Sequence, residues 1–173
     1  MAVVEEAGGC RGAVADAAVT AVAGAALAVI TADCAPVALS STEGVVGVVH
    51  AGWRGLVAGV VEATVSAMER LGAREIFAAL GPCIWPHGYD FSLPDLDSVA
   101  DKLGPGVRAV SSSGKPALDV PAAVAAALAR SGASLVAVSQ TCTHCSRAHW
   151  SWRARGERGR QATVVWREPR PAS

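Results

Sequence analysis

The sequence contains little charge and no excess of either sign. Of its 173 residues, 15 are Lys or Arg and 15 are Asp or Glu, so charged residues make up 17% of the chain and the formal net charge is zero. Globular domains typically carry about 25% charged residues. The balance argues against binding of nucleic acids or membrane surfaces through bulk charge, and the hydrophobic content of 51% excludes intrinsic disorder.

Long apolar runs are also missing. A membrane-spanning helix needs about 18 or more consecutive apolar residues, whereas the longest candidate, residues 21–32, is shorter and contains Gly24. The first residues include no basic cluster, so no secretory signal peptide is expected. Five cysteines form an odd number in a chain long enough to bury a core without disulfides. These features predict a cytosolic protein with reduced thiols.

The apolar pattern predicts a mixture of strands and helices in one domain. Strands are predicted at residues 25–31, 35–39, 45–49, 75–80, 135–139 and 161–166, and the stretches 25–31 and 45–49 are continuous enough to suggest burial on both faces. Helices are predicted at residues 55–71, 94–103 and 118–130, with Asp119 as the N-cap of the last. Because the early strands follow one another closely, the pattern favours an α+β fold over strict β-α-β alternation.

Cys34 and His50 each follow an apolar strand, where a rigid sheet can present reactive groups to a cleft. Cysteine and histidine are preferred zinc ligands, and they also form nucleophile–base pairs. Taken alone, each residue is more often a packed core cysteine or a hydrogen-bonded core histidine than a ligand. The next residues, up to Gly55, include Arg54 beside Trp53. That arginine could bind an anion or stack on a planar ring, or it could be a surface residue on a tight turn.

Two motifs in this region are more specific than either residue alone. TADCAPV at residues 31–37 and HAGWRG at residues 50–55 resemble motifs of the YfiH-like family, whose members are also described as laccase-domain or multicopper polyphenol oxidoreductase proteins. Further similarities follow in the family's order, at residues 80–84, Tyr89, 118–119, 142–145 and 159–162. The resemblance extends over nearly the whole chain, so we interpret residues 1–173 as one YfiH-like laccase domain.

The resemblance implies both a fold and a metal. Family members have layers in the order α/β/β/α, and they bind one metal, usually assigned as zinc, through two histidines and one cysteine. Carried over by motif, Cys34 is the cysteine ligand and His50 the second histidine, with copper as the alternative metal. Asp33 is then a candidate proton carrier beside the metal, and Arg54 is a candidate anion-binding residue.

The family's first histidine ligand has no counterpart in this sequence. In the family it lies in a Q-x-H-G stretch shortly before the segment that resembles residues 2–5, whereas this sequence begins at Met1. We therefore expect a chain that lacks the family's N-terminal strands, through a misassigned start codon or because it is a fragment. A further alternative is that His87, His144 or His149 completes the site.

The remaining motifs favour structural roles. Cys142 and Cys145 form a single C-x-x-C, which is half of a four-cysteine zinc site, and we interpret it as a turn beside the cleft. A separate metal site with His144 and His149 is the alternative. His87 is expected to be an exposed loop histidine. The Arg-rich segment that follows, with Arg153 and Arg160, is interpreted as bordering the cleft or as structural, without a nucleic-acid role.

The resemblance implies an enzyme that acts on purine nucleosides and phosphate in the cytoplasm, and we expect it to be a monomer. The reactions reported for the family are phosphorolysis of adenosine, inosine and methylthioadenosine, and deamination of adenosine. One alternative is copper-dependent oxidation of phenols. Another is a metal-free remnant that acts as a binding module.

Overall fold

The computed structural model describes residues 1–6, 12 and 14–168. The strands are β1 (Ala2–Val3), β2 (Ala17–Thr20), β3 (Ala26–Thr31), β4 (Ala35–Ser41), β5 (Val46–Ala51), β6 (Ile76–Leu80), β7 (Arg108–Val110), β8 (Pro116–Leu118), β9 (Ser134–Val138) and β10 (Gln161–Trp166). The helices are α1 (Trp53–Val57), α2 (Val60–Arg70), α3 (Leu93–Leu103), α4 (Val120–Ser131) and α5 (Trp152–Arg155), with 3-10 turns at Pro86–Gly88 and Pro105–Val107.

The main sheet has six strands in the order β1-β2-β5-β4-β6-β9. Its four central strands pair antiparallel, whereas β1 joins β2 and β9 joins β6 in parallel. Two antiparallel pairs lie outside it, β3 with β10 and β7 with β8. Because β6 and β9 are parallel neighbours, the loops that follow them leave the sheet at the same end of the strands, the carboxyl end.

The two faces of β5 show how the layers are arranged. Val49 belongs to a core that includes Met68 of α2, whereas its neighbour Val48 packs in a second cluster with Leu27 and Val29 of β3. Successive side chains of a strand point to opposite faces, so helices cover one face of the main sheet and the β3–β10 pair covers the other. The predicted α+β fold class is confirmed, and the described residues form three of its expected layers, α/β/β.

The prediction that β3 is buried on both faces is wrong. Its side chains alternate between exposed and buried along the strand, with Leu27 and Val29 inside and Ile30 68% exposed. The β3–β10 pair packs on the main sheet through one face only, so among the described residues its outer face stays open. The strand at 45–49, by contrast, is buried on both sides as predicted.

The predicted helix at 55–71 is two helices. The first, α1, ends at Val57, and α2 begins at Val60. Gly59 between them has φ +82°, in the left-handed region that glycine tolerates and other residues rarely adopt. The other two predicted helices and the final strand lie within two residues of their expected bounds, and Asp119 caps α4 by accepting from the Ala122 backbone N–H. No helix among the described residues is both long enough and apolar enough to cross a bilayer.

Candidate active site

Cys34 and His50 lie side by side at one end of the main sheet. Strands β4 and β5 are antiparallel, and their register pairs Ala35 with Ala51 and Pro36 with His50. Cys34 directly precedes β4, so the start of that strand meets the end of β5. His50 is on the face of β5 that carries Val48, which is the face turned toward the β3–β10 pair.

The two side chains approach a common point. A methyl group placed on Gly52 would lie 3.4 Å from Cys34 Sγ and 3.9 Å from His50 Nε2. Sulfur and nitrogen ligands of one tetrahedral zinc ion lie about 3.5 Å apart, given Zn–S and Zn–N bonds of about 2.3 and 2.0–2.1 Å. The thiol and the imidazole nitrogen therefore flank the same side of Gly52, and Cys34 is also a hydrogen-bond partner of the His50 ring.

The imidazole of His50 is oriented by Asp16. His50 Nδ1 lies 2.9 Å from Asp16 Oδ1, and the His50 backbone N–H donates to the Asp16 carbonyl at 2.7 Å. A donor at Nδ1 leaves Nε2 free to face Cys34, which is the orientation that a carboxylate gives to metal-bound histidines. The hydrogen bond with Cys34, followed by that with Asp16, raises the pKa of His50 to about 9, against the opposing effect of partial burial. Asp16 was not predicted as a site residue.

The thiol–imidazole pair fits a metal, but it supplies two ligands. Among the described residues, the one set of three or more Cys, His, Asp or Glu side chains whose ligand atoms all lie within 4.8 Å of one another is His87, His144 and Cys145. That set includes neither Cys34 nor His50. The alternative that His87, His144 or His149 completes the site is therefore not supported by the geometry.

An open cleft of about 360 Å³ adjoins the pair. Its walls include Thr31, Cys34, His50, Tyr89, Trp152, Arg153 and Arg160. The Arg153 guanidinium carbon lies 4.9 Å from the centre of the Tyr89 ring, a cation–π contact. Thr31 Oγ1 is buried and has no hydrogen-bond partner in the part of the chain that the structure describes. The cleft thus combines aromatic surface and two cations next to the possible metal ligands.

Asp33 also lines this cleft, but its carboxylate is occupied. Oδ1 accepts from Thr143 Oγ1 at 2.8 Å and from Ser151 Oγ at 2.7 Å, and Oδ2 accepts from the Arg153 backbone N–H at 2.7 Å. The first two donors are buried. These contacts tie the segment 142–160 to the end of β3 and hold Arg153 at the cleft.

Arg54 lies on α1 and points elsewhere. It is exposed, its guanidinium carbon lies 4.3 Å from the centre of the Trp53 ring, and it is not among the residues that line the clefts around Cys34. Of the two roles predicted from the HAGWRG motif, stacking on a ring is the one seen, with the ring supplied by the protein. The arginines that reach the cleft come instead from the segment 142–160.

The sequence matches the family model described as multi-copper polyphenol oxidoreductase laccase over residues 1–168. A purine nucleoside phosphorylase from Streptomyces coelicolor is 44% identical over 154 residues, which cover 87% of this chain and 63% of that protein. Another from Streptomyces griseus is 46% identical, covering 87% and 62%. The chain thus spans less than two thirds of the length of these relatives.

Solved structures show the same fold. A Neisseria meningitidis protein superposes with a TM-score of 0.81 at 32% identity, covering 90% of this chain and 65% of that one. YlmD from Geobacillus stearothermophilus gives a TM-score of 0.75 at 33% identity, covering 89% and 61%. The Bacillus licheniformis protein YfiH gives 0.80 at 26% identity, covering 88% and 61%.

Proposed function

The chain belongs to the multi-copper polyphenol oxidoreductase laccase family, and from that premise we propose that it is a metal-dependent purine nucleoside phosphorylase. The observation that carries the proposal is the approach of Cys34 Sγ and His50 Nε2 to one point beside a cleft with two arginines. The names of the Streptomyces relatives supply the substrate class.

Zinc is the proposed metal, held by Cys34 and His50, with copper as the alternative. When bound, the ion supplies Lewis-acid chemistry beside the cleft. Asp16 holds the His50 imidazole with Nε2 toward the ion. Among the described residues this pair supplies two ligands, fewer than the three that catalytic zinc sites usually have. We therefore expect the 173-residue chain to bind zinc weakly at this pair and to turn over slowly.

The remaining cleft residues suit a nucleoside and phosphate. Arg153 and Arg160 bind the phosphate dianion, and the rings of Tyr89 and Trp152 offer faces on which a purine can stack. In phosphorolysis a phosphate oxygen bonds to the ribose C1′ carbon while the bond from C1′ to the purine nitrogen breaks. The leaving base keeps that electron pair and gains a proton, so the products are ribose 1-phosphate and the free purine.

Two of the predicted site roles move to other residues. Asp33, predicted as a proton carrier, accepts three hydrogen bonds and holds the Arg153 backbone, so we assign it a positioning role. Arg54, predicted to bind an anion, stacks on Trp53 away from the cleft, so we assign phosphate binding to Arg153.

Adenosine, inosine and methylthioadenosine are the proposed nucleosides, and deamination of adenosine is a proposed second reaction. We propose that the protein works in the cytoplasm as a monomer. Deamination differs from phosphorolysis in releasing ammonia without consuming phosphate. The two are therefore separated by following ammonia and ribose 1-phosphate in parallel, with and without added phosphate.

The test is phosphorolysis of inosine by the zinc-loaded chain. We expect slow hypoxanthine formation that requires phosphate, disappears with a chelator and returns with zinc. Formation at the background rate in zinc-loaded, folded protein would contradict the proposal for this chain. A metal-free remnant that acts as a binding module predicts that result together with nucleoside binding.

Oxidation of phenols by a copper-loaded form is the second candidate. The description of the matching family model favours it, and a cysteine with imidazole ligands can bind copper as well as zinc. Loading the chain with copper and measuring oxygen consumption with a phenol distinguishes the candidates. Phenol turnover without inosine phosphorolysis would favour the oxidase.

A further inference from the structure

A second group of metal-ligating side chains lies outside the Cys34–His50 pair. His87 Nε2 lies 3.0 Å from Cys145 Sγ, and His144 Nδ1 lies 3.9 Å from the same sulfur. All three ligand atoms lie within 4.8 Å of one another. Ligands of one tetrahedral zinc ion are about 3.4–3.6 Å apart. The observed separations bracket that spacing, so small side-chain rotations would place the three atoms around one ion.

The loops that carry this triad are held together by the backbone. His87 lies in the loop that follows β6, and His144 and Cys145 lie in the loop that follows β9, the parallel neighbour of β6. A bridge pairs Cys83 with Cys142, and the Thr143 N–H donates to the Cys83 carbonyl at 3.0 Å. The two loops are therefore held next to each other by backbone contacts that do not require a metal.

Arg155 fixes the second loop from the other side. Its guanidinium donates to the carbonyl oxygens of His144, Ser146 and His149 at 3.1, 3.3 and 2.6 Å. The side chain of His149 is engaged elsewhere, with Nδ1 2.9 Å from Ser146 Oγ. His144 is therefore presented to the triad by a constrained loop, whereas His149 is not part of it.

Gly88 leaves room for the His144 ring. A methyl group at Gly88 would lie 2.4 Å from His144 Cγ, a distance that real side chains do not show. The φ angle of Gly88 is not in the left-handed region, so the backbone conformation does not require glycine at this position. The close approach of the His144 ring does, because it leaves no space for a side chain. This packing brings His144 against the turn that carries His87.

We propose that His87, His144 and Cys145 bind one Zn²⁺ ion. Two imidazoles and a thiolate form a set of nitrogen and sulfur ligands that suits zinc, and three protein ligands leave a fourth position open. His87 and His144 line a cleft of about 380 Å³ together with Asp90, Ser112, Ser113 and Arg153. The fourth position faces water or an oxygen ligand in that cleft.

This ion ties together the two loops beside the nucleoside cleft. Arg153 lines both the cleft of the triad and the cleft of Cys34 and His50. The zinc site therefore borders the arginine to which we assign phosphate, without sharing a ligand with the first pair. Its existence does not depend on the proposed phosphorylase activity.

The test measures bound zinc in a chain whose first site has been removed. In the double variant Cys34→Ala/His50→Ala, we expect one equivalent of Zn²⁺ after removal of loosely bound metal. Adding His87→Ala or Cys145→Ser should lower this to near zero. Adding His149→Ala, a histidine of the same loop outside the triad, should leave one equivalent. Co²⁺ provides a second readout, because its thiolate absorption band should vanish in Cys145→Ser.

Two results would overturn the proposal. One is a double variant that folds, as judged by its circular dichroism and melting curve, but holds no zinc and shows no cobalt–thiolate band. The other is one equivalent of zinc that persists in both His87→Ala and Cys145→Ser.

Discussion

The two groups of side chains to which we assign a metal differ in the elements that carry them. Cys34 and His50 lie at strand ends in the main sheet, and a carboxylate orients the imidazole. His87, His144 and Cys145 lie on loops, two of them are exposed, and no carboxylate contacts either ring in the described part of the chain. The first group has an oriented ligand but only two members in the described part of the chain, whereas the second has three members, two of them on a loop held by Arg155.

This contrast indicates different tasks. A ligand with an orienting hydrogen bond holds a metal in one geometry, which chemistry requires. A loop site with three ligands needs only to bind firmly in order to join two segments. We therefore expect the strand site to control activity and the loop site to control the stability of the surrounding loops.

The largest expected effect is that of Cys34→Ala. Removing the thiol should abolish phosphorolysis. In protein saturated with zinc it should also lower bound zinc from two equivalents to one, because the weak strand site is lost and the loop site remains. The cost in stability should be only about 1 kcal/mol. Zinc analysis, inosine turnover and a melting curve measure the three quantities.

Cys83→Ala is the matched control for that change. Burial raises the pKa of the Cys83 thiol to about 12, so it stays protonated and is a poor metal ligand. We expect this variant to keep both zinc ions and its turnover. Equal losses in the two variants would mean that Cys34 acts through packing.

Asp16→Ala should have the next largest effect. Without the carboxylate, His50 loses its Nδ1 partner, and loss of such an orienting contact typically costs about 10- to 100-fold in metal affinity. Asp16→Asn keeps an oxygen that can accept from Nδ1 and should recover much of the affinity. Zinc competition titrations measure the zinc affinity of both variants. If Asp16→Ala binds zinc as tightly as the parent chain, Asp16 does not orient a metal ligand.

Two arginines allow the assignment of the phosphate site to be tested. Hydrogen bonds to charged groups contribute about 1.5–3 kcal/mol, so Arg153→Ala should raise the KM for phosphate about tenfold or more. Arg54→Ala should leave that KM unchanged, because Arg54 is exposed and does not line either cleft beside Cys34. Steady-state kinetics with varied phosphate measure both KM values. A raised KM in Arg54→Ala with an unchanged KM in Arg153→Ala would assign phosphate binding to Arg54 instead.

The smallest effects are expected from substitutions of two glycines, each of which should affect only one of the two sites. Gly52→Ala places a methyl within 4 Å of both Cys34 Sγ and His50 Nε2, and Gly88→Ala forces the His144 ring to move. Each change should weaken zinc binding at its own site about fivefold, equivalent to about 1 kcal/mol, and leave the other site unaffected. Gly106→Ala, where a methyl meets nothing within 4 Å, is the control for both. A change that weakened both sites equally would argue against independent sites.

That Cys34 and His50 lie side by side could be predicted, because strand ends and short motifs are local features. Asp16 could not, since it lies 34 residues from His50 and reaches it only through the pairing of β2 with β5. Short strands of two to four residues, such as β1 and β2, carry too few side chains for a clear period. The break at Gly59 was visible as a second glycine four residues after Gly55, but the apolar spacing continued through it.

The triad of His87, His144 and Cys145 could not be predicted from the sequence either, because its members meet only in the folded chain. His87 and Cys145 are 58 residues apart, and only the parallel pairing of β6 with β9 brings their loops to the same end of the strands. The C-x-x-C motif places Cys142 and Cys145 in this loop, but the motif alone does not show that their side chains have different surroundings. Cys142 is buried and accepts from the Trp85 backbone N–H at 3.4 Å, whereas Cys145 faces His87.

The most direct test of a metal at the strand site is a crystal structure of the zinc-loaded chain, with anomalous diffraction measured on both sides of the zinc absorption edge. We predict an anomalous peak between Cys34 Sγ and His50 Nε2, at about 2.3 Å from the sulfur and 2.0–2.1 Å from the nitrogen. His50 Nδ1 should remain hydrogen-bonded to Asp16. Full zinc occupancy elsewhere in the same crystal, with no peak between these two atoms, would contradict the account.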